Sequence, residues 1–239
     1  MALPDVVSHE QWLEARMRLL AQEKEQTRVR TALNAERRRL PMVRIEKKYA
    51  FDGPQGPVTL AELFGDCSQL IIQHVMFDPG WDAACPGCTA SVDLISGRLL
   101  DQVRSRDTAF ALVSIAPLAK LESYRAARGW VPAWYSSQGT EFNYDFQVTA
   151  DKSAGQVHYN YQDQTEGLED EPEELPGYSC FLRDGQEIFH TYSTYARGAE
   201  LLIPAYALLD LTAFGRSEDW EEPKGRARKL HGADPTFTD

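Results

Sequence analysis

The sequence predicts an α/β fold in which a central mixed sheet is flanked by helices and is preceded by a long helical extension. Two neighbouring stretches carry this prediction. The apolar run Gln69 to Phe77 has the length and the β-branched content of a buried strand, and apolar residues recur at helical spacing over Thr89 to Val103. A second strand, a second helix and a late β-hairpin follow along the chain, as expected of this fold class.

The motif Cys85-Pro86-Gly87-Cys88 lies between that strand and that helix. Two thiols three residues apart at a helix start can close a disulfide across one turn, and the helix dipole stabilises the first thiolate. We therefore expect Cys85 to be the nucleophile and Cys88 the resolving thiol. Pro86 fixes φ at the first helical position, and Gly87 keeps the approach open. The expected redox group is a Cys85–Cys88 disulfide, with no other cofactor.

The extension begins at Ser8-His9-Glu10-Gln11, which has the pattern of a capping box. Neither Gly nor Pro interrupts the following residues up to about Leu40, and Pro41 ends the predicted helix. Its apolar stripe, which starts with Leu13 and Met17, is thin. We expect this helix to lie over the core or over another subunit, so that a homodimer through the N-terminal helix is a candidate assembly.

The next elements follow from local signals. Tyr49 to Phe64 contains turn residues and a cap that predict a hairpin and a short helix. Phe110 to Ala116 has the pattern of a second buried strand, and Leu118 to Ala127 that of a helix stopped by Gly129. The order β, dithiol helix, β, helix implies two parallel strands joined by a right-handed crossover.

Two later segments complete the predicted fold. Ser179 to Tyr192 predicts a hairpin around Asp184-Gly185, the preferred pair for a type I′ turn. Glu200 to Phe214 is apolar on most sides and predicts a packed helix that Pro204 kinks or restarts. A dithiol at a strand-to-helix junction, a second βα unit and a late hairpin together form the thioredoxin layout.

The domain organisation expected from these elements has three parts. Residues 1–48 form an N-terminal helical arm, residues 49–217 a thioredoxin-like domain, and residues 218–239 a charged tail. Within the domain, residues 150–177 are acidic and polar, which predicts a loop excursion.

Composition excludes several classes of partner. The formal net charge of −11 argues against nucleic acid, because phosphate binding needs a basic face. No stretch approaches the roughly 20 apolar residues of a membrane span, and the first residues lack the basic and apolar regions of a signal peptide. We therefore expect a cytoplasmic protein without a membrane partner, where a C-x-x-C pair indicates redox chemistry or metal.

Other side chains are weaker candidates for the site. Trp81 precedes the cysteines and could shield their sulfurs. Trp130 and Tyr144 belong to an aromatic stretch that either recognises substrate beside the dithiol or fills the edge of the core. His190, like His74, could transfer protons at the dithiol, although a strand histidine is more often a core or edge residue.

A metal centre is the alternative use of the cysteines. A structural zinc takes four ligands, and the further donors available are Cys67, Cys180, His74 and His190. None of them belongs to a second C-x-x-C or to a paired histidine spacing. We therefore expect no metal.

The chain resembles a bacterial family of predicted dithiol-disulfide oxidoreductases with a thioredoxin-like fold, domain-of-unknown-function family 899. The likeness covers about Val6 to Glu218. It is carried by the dithiol motif and by segments along the whole chain: Trp12 to Pro41, Tyr49 to Phe64, Gly129-Trp130, Ser136 to Phe146, Phe181 to Gly185, Phe189 to Gly198 and Leu208 to Arg216. The resemblance implies a thioredoxin-like fold and dithiol chemistry.

The expected function is thiol-disulfide exchange with a protein or small-molecule disulfide or thiol as substrate, with the reductant unknown. Two alternatives stay open. Asp78-Pro79 ahead of Cys85 is loosely similar to a peroxiredoxin site, where a thiolate is oxidised to sulfenic acid by peroxide. The other alternative is a non-catalytic binding or assembly module whose contacts are made by the N-terminal arm.

Overall fold

The structure, a computed structural model, describes residues 3–155, 157–164 and 172–226. These residues form two compact units. One unit contains residues 3–41 and 209–226, and the other contains residues 42–208.

The helices and the strands are each numbered in chain order. The helices are α1 (His9–Arg37), α2 (Leu60–Leu63), α3 (Pro86–Asp93), α4 (Gly97–Arg104), α5 (Leu118–Arg128), α6 (Phe142–Asp145) and α7 (Pro204–Leu209). The strands are β1 (Val43–Arg44), β2 (Ala50–Gly53), β3 (Gly56–Thr59), β4 (Gln69–His74), β5 (Thr108–Ser114), β6 (Trp134–Ser136), β7 (Thr149–Ala150), β8 (His158–Tyr159), β9 (Gln162–Asp163), β10 (Glu173–Glu174), β11 (Gly177–Asp184) and β12 (Glu187–Tyr195).

Helix α1 dominates the first unit. It starts where the sequence predicts, because Ser8 accepts a hydrogen bond from the Gln11 backbone and the Gln11 side chain accepts one from Ser8. It ends at Arg37, three residues before the predicted end at Leu40, and none of its residues is buried. In the described part of the chain, no helix has both the length and the apolar composition that crossing a membrane requires.

The second unit is built on an eight-stranded mixed sheet with the order β1-β12-β11-β4-β5-β6-β2-β3. Strands β4 and β5 are parallel, and β11 is antiparallel to both β4 and β12. The order β12-β11-β4-β5, with helices between β4 and β5, is the arrangement of the thioredoxin-like fold. The predicted fold class is therefore confirmed.

Two apolar clusters cover the faces of this sheet. Along β5, Ala111 and Val113 belong to one cluster, and Leu112 belongs to the other. Successive side chains of a strand point to opposite faces, so the two clusters lie on the two sides of the sheet. The first cluster contains Phe64 and Phe142, whereas the second contains both cysteines of the motif.

Several local predictions agree with the structure. Strands β2 and β3 form the first hairpin, and Thr59 and Glu62 form the capping box of α2. Helix α5 ends at Arg128 because Gly129 takes the left-handed conformation at φ 67°. The predicted strand Gln69 to Phe77 is observed as the shorter β4.

Two local predictions are wrong in detail. The predicted helix Thr89 to Val103 is two helices, because Ser96 caps α4 by accepting a hydrogen bond from the Leu99 backbone. The late hairpin turns at Gly185 and Gln186, since Asp184 pairs with Glu187. Only Gly185 of these two has a positive φ, 58°, which fits a type II′ turn rather than type I′.

The predicted helix Glu200 to Phe214 is wrong in its length and its packing, whereas the predicted restart at Pro204 is observed. The chain forms a 3₁₀ helix at Ala196–Leu202 and restarts as the short α7 at Pro204, which has no backbone N–H to continue the first helix. Leu201 and Leu208 are exposed. Apolar residues on every side of a surface helix cannot all face the core, and in this segment most of them do not.

The acidic segment 150–177 contains the short strand pairs β7 with β10 and β8 with β9. Residues 156 and 165–171 of this segment lie outside the described residues, as does the predicted tail from residue 227 onwards.

Candidate dithiol site

The two cysteines lie at the start of α3, after the loop that leaves β4. Cys85 is the N-cap, with φ −48° and ψ 131°, and Pro86 takes the first helical position. The Cys85 backbone N–H donates to the Met76 carbonyl oxygen at 3.0 Å, and the Cys85 carbonyl accepts from the Thr89 N–H at 2.9 Å. Cys88 therefore lies in the first turn of the helix.

Both cysteines are buried, with 6% of Cys85 and 5% of Cys88 exposed. They belong to the apolar cluster on their face of the sheet, together with Phe77 and Trp134. Pro86 is exposed, whereas Gly87 is buried, so the structure does not bear out an open approach at Gly87. The apolar surroundings disfavour a charged thiolate on either cysteine, whereas the backbone N–H groups and the dipole at the helix start favour one.

Polar contacts hold α3 against the sheet. The Gln73 amide on β4 donates to the Ser91 hydroxyl at 2.7 Å, and Ser91 donates to the Cys88 carbonyl oxygen at 2.8 Å. At the end of the helix, Asp93 accepts from the Trp130 indole at 2.7 Å. Burial alone raises the pKa of Asp93, but hydrogen bonds from Arg128 and Trp130 hold that pKa below its ordinary value.

A small cleft borders Cys88 on the side of the late hairpin. Its volume is about 20 Å³. It is lined by residues of β4, α3, the start of β11 and the segment after β12: Gln73, His74, Gly87, Cys88, Ser91, Pro176, Gly177, Tyr178, Ala199 and Ile203. Cys88 therefore borders a small space that apolar and polar residues line together.

The weaker sequence candidates lie in different environments. Trp130 is buried in the same cluster as the cysteines, where its ring packs edge-to-face with Tyr124 and at a tilt against Trp134. Trp81 is 37% exposed in the loop before Cys85. Tyr144 is 38% exposed on α6, and burial together with the charges of Asp151 and Glu174 raises its pKa.

His74 and His190 lie on the other face of the sheet from Trp134, in contact with the first apolar cluster. Both rings pack against Phe146, and His190 also packs against Phe181. His74 nevertheless lines the cleft at Cys88, because it is the last residue of β4.

The donors considered for a metal do not assemble into a site. Cys67 belongs to the first apolar cluster, whereas Cys85 and Cys88 belong to the second. Within the described residues, no group of three or more histidine, cysteine, aspartate or glutamate side chains could hold a metal ion.

The sequence prediction missed two tyrosines near the site. Burial raises the pKa values of Tyr178 and Tyr159 well above their ordinary range, and the charge of Cys88 contributes to both shifts. The Tyr159 hydroxyl donates to the Pro176 carbonyl oxygen at 2.9 Å. The alternating pattern of β11 is a sequence signal that could have indicated Tyr178. Tyr159 belongs to the irregular segment 150–177, where the sequence has no such pattern.

Glu174 is a third missed residue. It is 4% exposed, and Asn143 and Thr149 donate to its carboxylate. Burial raises the pKa of Glu174 to about 8, against the lowering effect of those two hydrogen bonds. Glu174 belongs to an acidic run, and nothing in the sequence of that run marks one carboxylate as buried.

Comparisons with known proteins give one family. A sequence model described as "Bacterial protein of unknown function (DUF899)" matches residues 1–232 of the chain. No curated protein matches in sequence.

Three solved structures illustrate the likeness in fold. The bacterioferritin comigratory protein of Xanthomonas campestris, described for alkyl peroxide reduction, is 16% identical at a TM-score of 0.45, over 69% of this chain and 91% of that one. The peroxidoxin BcpB of Mycobacterium tuberculosis is 14% identical at a TM-score of 0.47, over 69% and 93%. A candidate disulfide isomerase of Bacteroides thetaiotaomicron is 12% identical at 0.40, over 70% and 90%. Since these TM-scores lie below 0.5, the fold assignment rests on the strand topology.

Proposed function

The chain belongs to the bacterial family DUF899, of unknown function, and we propose that it acts as a thiol-disulfide oxidoreductase through Cys85 and Cys88. The observation that supports this proposal is the position of Cys85 as the N-cap of α3, with Cys88 one turn inside. Two thiols at a helix start can cycle between dithiol and disulfide with little change in the backbone.

In the proposed reaction, the Cys85 thiolate attacks a disulfide of a protein or small molecule. A bond forms between Cys85 Sγ and one substrate sulfur, and the other substrate sulfur leaves as a thiolate. Cys88 then attacks Cys85 Sγ, which releases the second substrate thiolate and leaves a Cys85–Cys88 disulfide. The substrate gains two electrons, the dithiol loses two, and a separate thiol reductant restores it.

The helix start explains the assignment of roles. The backbone N–H groups at the start of α3 and the helix dipole act on the N-cap side chain, which is Cys85. Cys88 lies within the helix and among apolar residues, so we assign it the second step. Pro86 and Gly87 complete the first turn.

The test is a redox titration of the full chain in glutathione and dithiothreitol buffers, followed by alkylation and mass spectrometry of cysteine peptides. We expect a reversible Cys85–Cys88 couple at a potential within the roughly −270 to −120 mV range of known dithiol enzymes. We expect Cys85→Ser to abolish reaction with oxidised glutathione and Cys88→Ser to accumulate the Cys85–glutathione mixed disulfide.

Cys180→Ser is the matched control, because Cys180 is a half-buried thiol of β11 outside the motif. It should leave both the potential and the mixed disulfide unchanged. A Cys85–Cys88 pair that never closes would contradict the proposal. A sulfenic acid on Cys85 that forms with peroxide and turns over catalytically would favour a peroxidase instead.

A further inference from the structure

A second concave space lies on the face of the sheet that α3 covers. Its volume is about 150 Å³, and residues of β4, α3, α4, β5, β11 and the segment after β12 line it. Its lining is apolar apart from Ser91 and Tyr178, and none of the described residues that line it is charged. We call this space the apolar pocket.

The floor of the apolar pocket is a pair of side chains in the middle of the sheet. Ile71 on β4 pairs with Phe110 on β5, and both line the pocket. The strand neighbours of Ile71, Leu70 and Ile72, are fully buried in the cluster on the other face, whereas Ile71 and Phe110 are only half-buried. The apolar face of a central strand is normally covered by another element. Here that cover is incomplete.

The rim of the apolar pocket lies where the covering helices are interrupted. Helices α3 and α4 are separate, so no continuous helix covers the sheet at this point. Leu94, which follows α3, and Leu99 on α4 line the pocket, as does Leu202 from the segment after β12. All three leucines are exposed. The pocket therefore opens to solvent through an apolar rim.

The size and the lining of the apolar pocket define the kind of group that fits it. An apolar cavity of roughly 150 Å³ accommodates a benzene ring. A charged group would lose its hydration in the pocket without gaining an opposite charge. An aromatic ring or a branched alkyl group would instead remove its own apolar surface and that of the pocket from water. The pocket therefore favours an uncharged group of about the size of benzene.

Two polar side chains lie between the apolar pocket and the dithiol. Ser91 and Tyr178 line the pocket and also line the cleft at Cys88. The Ser91 hydroxyl donates to the Cys88 carbonyl oxygen at 2.8 Å. Tyr178 pairs with Gln73, whose amide donates to Ser91, so both strand residues lie on the α3 face. The pocket is thus adjacent to the helix that carries both thiols.

The length of α3 sets the separation between the pocket and the first thiol. Cys85 and Ser91 are six positions apart, which corresponds to roughly 9 Å along a helix axis. A group in the pocket can therefore belong to the same molecule as a sulfur at Cys85, provided that a short alkyl chain joins the two.

We propose that the apolar pocket binds an aromatic or branched alkyl group of the disulfide substrate, joined by a short alkyl chain to the sulfur that Cys85 attacks. This inference rests on the proposed function and names its substrate class, which is a disulfide that carries an apolar group. The exchange reaction is the one described above, with Cys85 attacking and Cys88 resolving. The pocket contributes binding and orientation of the substrate.

The experiment compares two disulfides that differ in the group offered to the pocket. One is the mixed disulfide of glutathione with 4-phenylbutanethiol, and the other is that of glutathione with 4-hydroxybutanethiol. The reduced full chain reacts with each, and acid quench, alkylation and mass spectrometry give the rate constant for formation of the Cys85–Cys88 disulfide. Reaction of each compound with dithiothreitol corrects for intrinsic reactivity. We expect wild type to react about tenfold or more faster with the phenyl compound, because its ring is buried in the pocket.

Substitutions at the rim test whether this preference comes from the apolar pocket. Leu99→Lys and Leu202→Lys each place an ammonium group at the mouth, from two different elements. We expect the ratio of the two rate constants to fall towards one in both variants, and a general loss of thiol reactivity would not change that ratio. Leu201→Lys is the matched control, because Leu201 is exposed but is not among the residues that line the pocket. It should keep the wild-type ratio.

Toluene tests the pocket in the unaltered protein. It contains the same ring but no sulfur, so it occupies the pocket without reacting. We expect toluene to slow the reaction of the phenyl compound to the rate of the hydroxy compound, and to leave the rate of the hydroxy compound unchanged.

The failure of this inference differs from the failure of the proposed function. If wild type reacts equally fast with both disulfides, as it would if a second copy of the chain covered the pocket, the substrate assignment is wrong while the oxidoreductase remains. The same holds if the preference survives in both Leu99→Lys and Leu202→Lys. If neither compound produces a Cys85–Cys88 disulfide in wild type, the proposed function fails and the substrate assignment fails with it.

Discussion

Gly177 shows how a single residue is fixed by close packing at the candidate site. It lies opposite His74 in the sheet and lines the cleft at Cys88. A Cβ added there would lie 2.6 Å from Cδ1 of Tyr195, closer than real Cβ contacts. The Tyr195 ring cannot easily retreat, because its hydroxyl donates to the Phe146 carbonyl oxygen at 2.9 Å.

We therefore expect Gly177→Ala to lower the free energy of unfolding by about 1–3 kcal/mol, the usual cost of overpacking. Urea denaturation of the full chain measures it. Gly97→Ala is the matched control, since a Cβ at Gly97 meets nothing closer than 3.9 Å and its φ is not positive. Equal stability of the two variants would show that Tyr195 moves aside at no cost.

Among the secondary-structure elements, α1 poses the clearest physical problem. It has 29 residues and none of them is buried, with exposed apolar side chains that include Leu13 and Met17. Helices in water gain most of their stability from packing an apolar face rather than from helix propensity. A second copy of the chain would supply that packing.

Homodimerisation through α1 stays a prediction, and sedimentation equilibrium at micromolar concentration tests it. We expect a dimer for the full chain and a monomer for the double variant Leu13→Lys with Met17→Lys. The control is Gln22→Lys with Gln26→Lys, which adds the same charge on the opposite side of the helix and should remain dimeric. A monomeric wild type would contradict the prediction.

At the scale of the whole molecule, the buried side chains of Glu174 and His74 make the free energy of unfolding depend on pH in opposite directions. The unfolded Glu174 carboxyl ionises near pH 4.5, whereas the folded one keeps its proton to about pH 8. Folded protein then binds more protons, so the free energy of unfolding falls as pH rises through that window. For His74, with ordinary and folded pKa values of 6.5 and about 3, the unfolded state binds more protons, and stability rises with pH between them.

Between pH 4.5 and 6.5 the effects of Glu174 and His74 on the free energy of unfolding oppose each other. Of these two effects, only that of Glu174 remains between pH 6.5 and 8. We expect stability to fall across the upper window by up to about 1.4 kcal/mol per pH unit, the value for one proton. Glu174→Gln should remove most of this fall, as measured by urea denaturation at pH 6.5, 7.25 and 8.

The half-exposed neighbour Glu173 supplies the control, because Glu173→Gln makes the same chemical change outside the buried network. It should keep the wild-type slope. A slope that survives in Glu174→Gln would assign the pH dependence to other groups.

The sequence by itself determined the features that depend on neighbouring residues. The capping box at Ser8, the strand that begins at Gln69 and the helix that ends at Gly129 each follow from caps, apolar runs and turn residues within a few positions. The fold class followed from the order of these elements. The dithiol motif was visible in the same way, because its chemistry depends on spacing along one helical turn.

Only the tertiary structure decided which side chains from distant parts of the chain meet. His74 and Ser179 are 105 positions apart and meet because β11 pairs with β4 in one particular register. The bulge at Thr191 then turns His190 and Ser193 to one face, against the alternation that a strand pattern predicts. Register and bulges are set by the packing of whole strands, so no local signal in the sequence brings these four side chains together.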